Sequence, residues 1–351
     1  MSKFWSPEVH ELTPYTPGEQ PRQRLIKLNT NENPYPPAPG VAEALKQADS
    51  AALRLYPDPS SLAVREAMAR QYGVNADQVF IGNGSDEVLA LSFMAFFRQS
   101  KPLYMPDISY SFYPVYSQLY GIERKALPLD AQWRVDLDAF PQDNGGIIFA
   151  NPNAPTGHAH PRAAIRALLE RQQDTVVMVD EAYVDFGGES CVPLIKEFPN
   201  LIVCGTFSKS RSLAGLRLGY AIASEELIDG LNRVKNSFNS YPIDRLAVTC
   251  ALASLADQEY FERNVNAVIK TRDWTSAALE QRGFDVLPSK SNFVFARPTT
   301  IAGADLFAAL REKGILVRYF SDPKLDQFLR ISIGTDEEMQ ALMTAIDEIT
   351  A

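Results

Sequence analysis

The sequence predicts an α/β protein in which helices cover a mostly parallel sheet, joined to a smaller α+β domain. Two observations indicate the sheet. Short apolar runs alternate with helical patterns over the first two thirds of the chain. The runs are apolar throughout, which is typical of strands that are buried on both faces. A chain of 351 residues with 46% hydrophobic content can also bury one large and one smaller core.

The pattern along the first two thirds predicts four helices and six strands. The helices are predicted at 38–47, 60–72, 88–97 and 162–170. The second of them carries a partial stripe at helical spacing, formed by Leu62, Val64, Arg65, Met68 and Tyr72. The strands are predicted at 79–82, 102–105, 146–150, 176–180, 201–205 and 217–222. This alternation favours parallel pairing, because helices then serve as the crossovers between strands.

The turn Tyr-Pro-Ile-Asp at 241–244 predicts a domain boundary. Beyond it, a helical stretch at 245–282 leads into strands at 284–287, 293–296, 315–319 and 328–333 and a last helix at 336–349. The first ~35 residues are rich in proline and polar side chains, which indicates an arm over a partner or over a site. The predicted division is therefore an arm at 1–35, a large domain at 36–244 and a small domain at 245–351.

An aspartate, a lysine and an arginine in fixed order form the strongest functional signal. Asp180 ends an apolar strand, Lys209 follows 29 residues later between two serines, and Arg217 comes 8 residues after the lysine. Together they suit pyridoxal phosphate (PLP). The lysine amine can form a Schiff base with the aldehyde, the carboxylate can keep the pyridine nitrogen protonated, and the guanidinium can hold the phosphate. Taken singly, each has an ordinary explanation as a surface charge or a helix cap.

Three further turns fit the same ligand. An apolar strand runs into Gly84 and Ser85, where Ser85 is a candidate N-cap and the free N–H groups of the following helix favour a phosphate. Asn153 follows another buried strand and can fix a ring hydroxyl, while Tyr110 can stack on a planar ring. Because Ser85, Asn153 and Asp180 each follow the carboxyl end of a strand, we expect them at one edge of the sheet, where open α/β sheets bind ligands.

Seven motifs spread over nearly the whole chain point to one family. They are NTNENP at 29–34, RLYPDP at 54–59, GNGSDE at 82–87, NAPTG at 153–157, DEAY at 180–183, the Ser208-Lys209 pair and FLRISIG at 328–334. In these motifs the chain resembles the fold-type I PLP-dependent aminotransferases of classes I and II, and the first three lean towards the histidinol-phosphate branch. The resemblance implies a large domain with a mostly parallel seven-stranded sheet, one strand more than the pattern alone predicts, and a homodimer.

The resemblance also implies a role for each matching position. Lys209 would carry the cofactor and shuttle protons, Asp180 would pair with the ring nitrogen, and Tyr183 would hydrogen-bond the 3-oxygen of the ring. Further cofactor contacts are implied for Gly84, Ser85, Asp86, Tyr110, Asn153, Thr206, Ser208 and Arg217, and for Tyr56 of the neighbouring subunit. Substrate contacts are implied for Tyr15, Asn31, Arg318 and Arg330. The implied reaction is ping-pong transfer of the amino group of L-histidinol phosphate to 2-oxoglutarate, in histidine biosynthesis.

One position departs from the family pattern. The family usually has asparagine directly before Pro-Thr-Gly, but here that position is Ala154, with Asn153 before it and Asn151 three residues earlier. We assign the contact with the 3-oxygen to Asn153. Without either asparagine, Tyr183 would hold the oxygen alone.

Other reactions on the same cofactor stay open. An aromatic amino acid aminotransferase, or a PLP-dependent decarboxylase of a phosphorylated amino acid, would use the same lysine and ring contacts. A non-catalytic PLP-binding regulator is disfavoured, because Lys209 is present and no nucleic-acid-binding module is attached.

Composition excludes several other classes. Lys+Arg 34 against Asp+Glu 43 leaves a net charge of −9, which disfavours nucleic acid or an anionic membrane as a partner. Cys191, Cys204 and Cys250 lie in or beside apolar segments without short paired spacing, which favours buried, reduced thiols. His158 and His160 have no third ligand nearby, so no metal site is predicted. With no signal core and no apolar run near ~18 residues, a cytoplasmic protein is predicted.

Overall fold

The computed structural model describes residues 2–23 and 25–351. In chain order the strands are β1 (Ile26–Lys27), β2 (Val79–Asn83), β3 (Leu103–Pro106), β4 (Arg124–Leu127), β5 (Ile147–Ala150), β6 (Val177–Asp180), β7 (Leu201–Thr206), β8 (Leu218–Ala223), β9 (Phe284–Val286), β10 (Phe293–Pro298), β11 (Ile315–Leu316), β12 (Arg318–Tyr319) and β13 (Leu329–Ser332). The helices are α1 (Pro7–Glu11), α2 (Pro39–Lys46), α3 (Leu62–Tyr72), α4 (Gly84–Ser92), α5 (Phe112–Leu119), α6 (Arg162–Arg171), α7 (Glu225–Phe238), α8 (Arg245–Ala256), α9 (Gln258–Glu280), α10 (Gly303–Glu312) and α11 (Asp336–Thr350). Among the described residues, no helix is long and apolar enough to cross a membrane.

The largest sheet has seven strands in the order β2-β8-β7-β6-β5-β3-β4. Its neighbours pair in parallel except around β8, which runs antiparallel to both β2 and β7. The predicted α/β fold with a mostly parallel seven-stranded sheet is therefore confirmed.

Of the seven strands of this sheet, β4 is the one that the sequence pattern misses. It lies at the edge of the sheet, and three of its four residues are exposed. An exposed strand has no continuous apolar run to reveal it, and its Arg124 and Lys125 also discourage pairing with another chain.

Residues of the central strands alternate between two cores on opposite faces of this sheet. Ile147 and Phe149 of β5 belong to one core and Ile148 to the other, and all three are fully buried. This double burial explains why the strands are apolar throughout. Each such side chain contributes about 1.5–3 kcal/mol by leaving water, and we expect Phe149→Ala to cost about 3–5 kcal/mol.

A four-stranded antiparallel sheet, β12-β13-β10-β9, forms the core of the smaller unit together with α9, α10 and α11. The helix predicted at 245–282 is two helices, because the side chain of Asp257 accepts a hydrogen bond from the N–H of Tyr260 and caps α9. The strand predicted at 315–319 is likewise divided between two sheets. Its first part, β11, pairs with β1 of the arm, while β12 pairs with β13.

The division into 1–35, 36–244 and 245–351 stays a prediction. Helix α8 packs on α2 and α3 of the large unit, although it follows the predicted boundary. Leu28 of the arm contributes to the core of the smaller unit.

The reversed direction of β8 positions the site. Because β8 is antiparallel to its neighbours, its first residue lies at the edge where the parallel strands end. Arg217, directly before β8, therefore comes to the same edge as Asp180 at the end of β6 and Thr206 at the end of β7. At this edge α4 begins at Gly84, so the predicted N-cap at Ser85 is wrong. Gly84 has a φ of +77°, and the turn is complete before Ser85.

Candidate active site

Side chains at the carboxyl edge of the large sheet line a cavity of about 170 Å³. Its lining contains most of the predicted cofactor residues: Ser85, Asp86, Tyr110, Asp180, Tyr183, Thr206, Ser208, Lys209 and Arg217. A second cavity of about 640 Å³ adjoins it. The two share Thr30, Tyr110, Ala154, Tyr183 and Lys209. We call the smaller one the cofactor cavity and the larger one the substrate cavity.

One end of the cofactor cavity is shaped for an anion. A Cβ on Gly84 would lie 2.5 Å from Nη2 of Arg217, so only glycine lets the guanidinium lie against this turn. Helix α4 begins at the same turn, and the N–H groups of its first residues have no partners within the helix. Free N–H groups beside a guanidinium suit a phosphate.

Asp86 fixes the geometry of this end. Its Oδ2 accepts a hydrogen bond from Nη2 of Arg217 at 2.9 Å, and its Oδ1 accepts one from the hydroxyl of Tyr110 at 2.9 Å. The ion pair is 45% and 38% exposed, so it adds little stability and serves mainly to orient its partners. Nearby, Oγ1 of Thr206 accepts from the N–H of Ser208 at 3.1 Å.

Asp180 places a carboxylate deep in the cofactor cavity, where it is 4% exposed. The hydroxyl of Tyr113 donates to its Oδ2 at 2.9 Å, and the N–H of Ala182 donates to its Oδ1 at 3.1 Å. Burial raises the pKa of Asp180 to about 6, against the lowering effect of these two hydrogen bonds. A buried carboxylate with fixed oxygens is suited to hold a protonated pyridine nitrogen.

Lys209 lies where the two cavities meet. Its Nζ donates to the main-chain oxygen of Thr30 at 3.2 Å and lies 5.8 Å from the centre of the Tyr183 ring. The amide of Asn33 donates to the main-chain oxygen of Lys209 at 3.0 Å. The NTNENP segment thus folds over the lysine loop, which brings two motifs together that are far apart in the sequence.

Asn31, from the same segment, contacts Tyr183. Its Nδ2 donates to the hydroxyl of Tyr183 at 3.0 Å, and the residue is 1% exposed. It also lines the substrate cavity. The predicted substrate residue and the predicted ring contact are therefore neighbours.

Asn153 does not line either cavity. Its Nδ2 donates to the main-chain oxygen of Ile108 at 3.0 Å, and its Oδ1 accepts from Oγ of Ser109 at 2.8 Å. Asn151 is likewise bonded to the main chain of its own loop. Ala154 lines both cavities in their place. The assignment of Asn153 to the ring oxygen stays a prediction, and this geometry does not favour it.

The substrate cavity brings together the predicted substrate residues Tyr15, Asn31, Arg318 and Arg330. Arg330 donates from Nη2 to the main-chain oxygen of Asn29 at 2.9 Å. Its Nε is buried and has no hydrogen-bond partner among the described residues. Burial lowers the pKa of Arg330, which is the sign of a cation held away from water. An incoming anion would satisfy both the charge and the free donor.

Tyr56 lies outside both cavities. Its side chain is 78% exposed and stacks on Tyr241, with 4.6 Å between ring centres. Arg245 donates to the main-chain oxygens of Leu55 and Tyr56 at 3.4 and 2.8 Å. Tyr56 thus does not reach the cofactor cavity of its own chain, and its role in a neighbouring subunit stays a prediction.

Sequence reasoning missed Tyr113. It belongs to an aromatic stretch that is typical of a core, and it is indeed fully buried. Its position three residues after Tyr110 is the one sequence feature that could have indicated a place beside the site. The two rings meet edge to face at 5.7 Å, and both hydroxyls bond carboxylates of the cofactor cavity.

Comparison with known proteins decides the family. The profile of aminotransferase class I and II matches residues 23–346. The protein belongs to the class I and II aminotransferases. Histidinol-phosphate aminotransferase of Chromohalobacter salexigens is 65% identical over 99% of both chains, and histidinol-phosphate aminotransferase 1 of Hydrogenovibrio crunogenus is 54% identical over 99% of this chain and 98% of its own.

A solved structure agrees with the fold of this aminotransferase. The crystal structure of histidinol-phosphate aminotransferase from Sinorhizobium meliloti, in complex with pyridoxal-5'-phosphate, superposes with a TM-score of 0.89. It is 25% identical and covers 100% of this chain and 98% of its own. The predicted resemblance, the enzyme class and the dependence on PLP are thereby confirmed.

Proposed function

We propose that the aminotransferase transfers the amino group of L-histidinol phosphate to 2-oxoglutarate, yielding imidazole acetol phosphate and L-glutamate in histidine biosynthesis. The observation that carries this is Lys209 at the junction of two cavities, one shaped for PLP and the other holding two arginines. The names of the relatives that are 65% and 54% identical support the choice of substrate.

The residues of the cofactor cavity fit PLP. The Gly84 turn, whose missing Cβ makes room for Arg217, would hold the phosphate with the N–H groups of α4. Asp180 would hold the ring nitrogen, and Tyr183 would face the 3-oxygen. When bound, PLP supplies an aldehyde that condenses with amines and a ring that takes up the electron pair left on the substrate α-carbon.

Lys209 would act twice in each half of the cycle. Its Nζ would hold the cofactor, and once free it would remain beside the α-carbon of the substrate. The free amine can accept the proton from the substrate α-carbon as a general base and later return it. Its present partner, the main-chain oxygen of Thr30, is a weak neutral acceptor, so little is lost when the amine moves.

Arg318 and Arg330 would receive two different anions in turn. A phosphate monoester and a carboxylate both accept two parallel hydrogen bonds from a guanidinium, so one pair of arginines can serve both substrates. Tyr15 of the arm stacks on Phe112 with 4.3 Å between ring centres, and it covers the same cavity. The arm would thus keep water from the bound substrate.

We also propose a homodimer in which Tyr56 serves the site of the second copy. Tyr56 stacks on Tyr241, and Leu53, Leu55 and Phe238, close to these two residues in the sequence, are also exposed large apolar side chains. A contiguous patch of such side chains is typical of an interface. Mixing inactive Lys209→Ala subunits with inactive Tyr56→Ala subunits should restore part of the activity, because one hybrid site has both residues intact. No restored activity in a mixture that forms heterodimers would remove Tyr56 from this role.

The cytoplasm is the proposed location. All three cysteines are buried and unpaired, as in proteins of reducing compartments. Fractionation of cells that produce the protein, with a periplasmic and a cytoplasmic marker enzyme as controls, tests the proposal.

The substrate is tested by a half-reaction. The purified protein is mixed with L-histidinol phosphate, and separately with phenylalanine, while the cofactor spectrum is recorded. We expect histidinol phosphate to convert the yellow form much faster than phenylalanine. Rapid conversion by phenylalanine alone would contradict the proposed substrate, and a protein that binds no PLP would contradict the whole site.

A further inference from the structure

Among the described residues, one side chain forms a hydrogen bond with the hydroxyl of Tyr183, and in that bond the hydroxyl is the acceptor. Nδ2 of Asn31 donates to it at 3.0 Å. A tyrosine hydroxyl has one proton and can also accept hydrogen bonds. Because Asn31 donates to a lone pair of the Tyr183 oxygen, the hydroxyl proton of Tyr183 stays available for another acceptor.

Asn31 is itself held firmly. Its N–H donates to Oγ of Ser332 at 2.8 Å, and that Oγ donates to Oδ1 of Asn31 at 2.9 Å. The amide of Asn292 donates to the main-chain oxygen of Asn31 at 3.0 Å. Since Ser332 supplies the proton to Oδ1, the NH₂ group of Asn31 must be the one that faces Tyr183. The orientation of the amide is thereby fixed by its neighbours.

The backbone conformation of Asn31 also indicates that its surroundings hold it in one position. Its φ of +56° lies in the left-handed region, which is unfavourable for most residues but tolerated by asparagine. A strained residue that is buried and bonded on every side is a common feature of functional sites.

Among the described residues that line the cofactor cavity, none carries a side-chain amide. Ala154, at the position where the family pattern has asparagine, lines the cavity, and the side-chain amide of Asn153 is bonded to Ile108 and Ser109. Tyr183 is therefore the side chain on which the 3-oxygen depends, and the direction of its proton matters more than it would with a second donor.

We propose that Asn31 is a positioning residue that directs the proton of the Tyr183 hydroxyl to the 3-oxygen of PLP. The inference rests on the proposed role of Tyr183 and not on the identity of the amino donor. With PLP bound, a hydrogen bond from Tyr183 would draw charge from the 3-oxygen, which would then hold the proton shared with the lysine attachment less strongly. The pair Asn31–Tyr183 would thus lower the pH at which the bound cofactor loses this proton.

The test is a pH titration of the cofactor absorbance without substrate. Asn31→Gly removes the amide, and glycine adopts a positive φ without strain. We expect Asn31→Gly to raise the midpoint by up to about one pH unit, and Tyr183→Phe to raise it at least as much. In the double variant, the loss of Asn31 should add nothing, because its effect passes through the hydroxyl.

Asn144→Gly is the matched control. Asn144 is also 1% exposed and holds its own loop through Gln172 and the N–H of Gly146, far from the cofactor cavity. Its substitution should leave the midpoint unchanged. An unchanged midpoint in Asn31→Gly, or the same shift with and without the Tyr183 hydroxyl, would overturn the proposal.

Asn31→Asp keeps the test decisive if the glycine variant does not fold. The carboxylate retains the shape and the bond from Ser332, but it accepts a hydrogen bond from Tyr183 instead of donating one. We expect a midpoint raised at least as far as in Tyr183→Phe, and a midpoint equal to that of the unchanged protein would reject the inference. Substrate turnover is not used in either arm, so a wrong substrate assignment would leave the result valid.

Discussion

The two cavities are built in different ways. The cofactor cavity is lined mainly by residues at strand ends and turns along one edge of one sheet. The substrate cavity takes Tyr15 from the arm, Tyr110 from the large unit and Arg330 from the small sheet. The first therefore depends on local motifs within a single sheet, and the second on how three distant parts of the chain pack. We expect changes at Asp180 and at the phosphate end of the first to affect chemistry with every substrate, and changes at Arg318 and Arg330 in the second to affect mainly the choice of substrate.

The largest effect is expected from the lysine that both cavities share. Lys209→Ala should reduce turnover at least about 10⁴-fold and abolish the absorbance of the bound cofactor, because the attachment point and the proton carrier are lost together. Spectra and steady-state assays measure both. Lys46→Ala, which removes an exposed lysine paired with Glu43, is the control and should change neither. Retained transamination in Lys209→Ala would exclude this lysine from its role.

Asp180→Asn should reduce turnover about 100-fold or more with every amino donor, because the ring nitrogen loses its charged partner. The loss should be the same for L-histidinol phosphate and for L-glutamate. A loss of turnover with only one of the two amino donors would contradict the assignment of Asp180 to the chemistry that all substrates share.

The same substitution should stabilise the protein without cofactor. Burial raises the folded-state pKa of Asp180 from 3.8 to about 6, so the unfolded state releases this proton at lower pH than the folded state. The ionised carboxylate of Asp180 therefore destabilises the folded protein once the pH exceeds about 6. We expect Asp180→Asn to raise the free energy of unfolding by about 3 kcal/mol near pH ~8 and by less than about 1 kcal/mol near pH ~4. Thermal melts at both pH values check this, and an equal gain at both would refute it.

Arg330→Lys should act on the substrate side alone. Lysine keeps the charge but loses the planar pair of donors, so we expect kcat/KM for L-histidinol phosphate to fall about 10–100-fold. The cofactor spectrum and the affinity for PLP should stay unchanged. Arg297→Lys, on the same sheet but exposed and paired with Asp285, is the matched control. Weaker PLP binding in Arg330→Lys would show that the two cavities are not separable.

The smallest effect is expected from Tyr113→Phe. Its hydrogen bond lowers the pKa of Asp180, so its loss should move the acid limb of the kcat profile to higher pH, by less than about one unit. Other groups that face Asp180 across the neighbouring elements are Asp86, Tyr116, Cys204 and Lys209. They are unchanged in this variant.

Tyr72→Phe is the control for Tyr113→Phe. It removes another buried hydroxyl, which bonds Tyr220 at 2.7 Å away from Asp180. An acid limb that moves equally in both variants would show a general loss of packing instead of a specific hydrogen bond.

The sequence predicts the cofactor side of the site well, because strand-end motifs are short and local. Asp180, Lys209 and Arg217 line one cavity as the spacing suggests. Asn153 shows the limit of this reasoning. The motif predicts an amide near the ring, but the direction of the amide depends on the packing of the connection at 107–111. The contact between Asn31 and Tyr183 joins residues 152 positions apart and leaves no local pattern.

The fold likewise contains features that local sequence predicts and features that depend on distant contacts. The buried strands are predicted because burial on both faces requires an apolar run, whereas the exposed edge strand β4 leaves no such signal. The break at Asp257 between α8 and α9 depends on one side chain that caps a helix in an otherwise helical pattern. The split of the predicted 315–319 strand depends on β1, a partner nearly 300 residues away in the chain.

The pairing of β7 with β8 has a consequence for how this scaffold can change. Lys209 and Arg217 both lie in the connection between these two antiparallel strands, which pair from Ile202 to Thr206. The span between the covalent anchor and the phosphate anchor is therefore a property of one hairpin. Substitutions of Arg330 in the small sheet can alter which molecule is admitted without changing the span between these two anchors. Such a separation lets a lineage explore new substrates while the reactive centre is inherited intact.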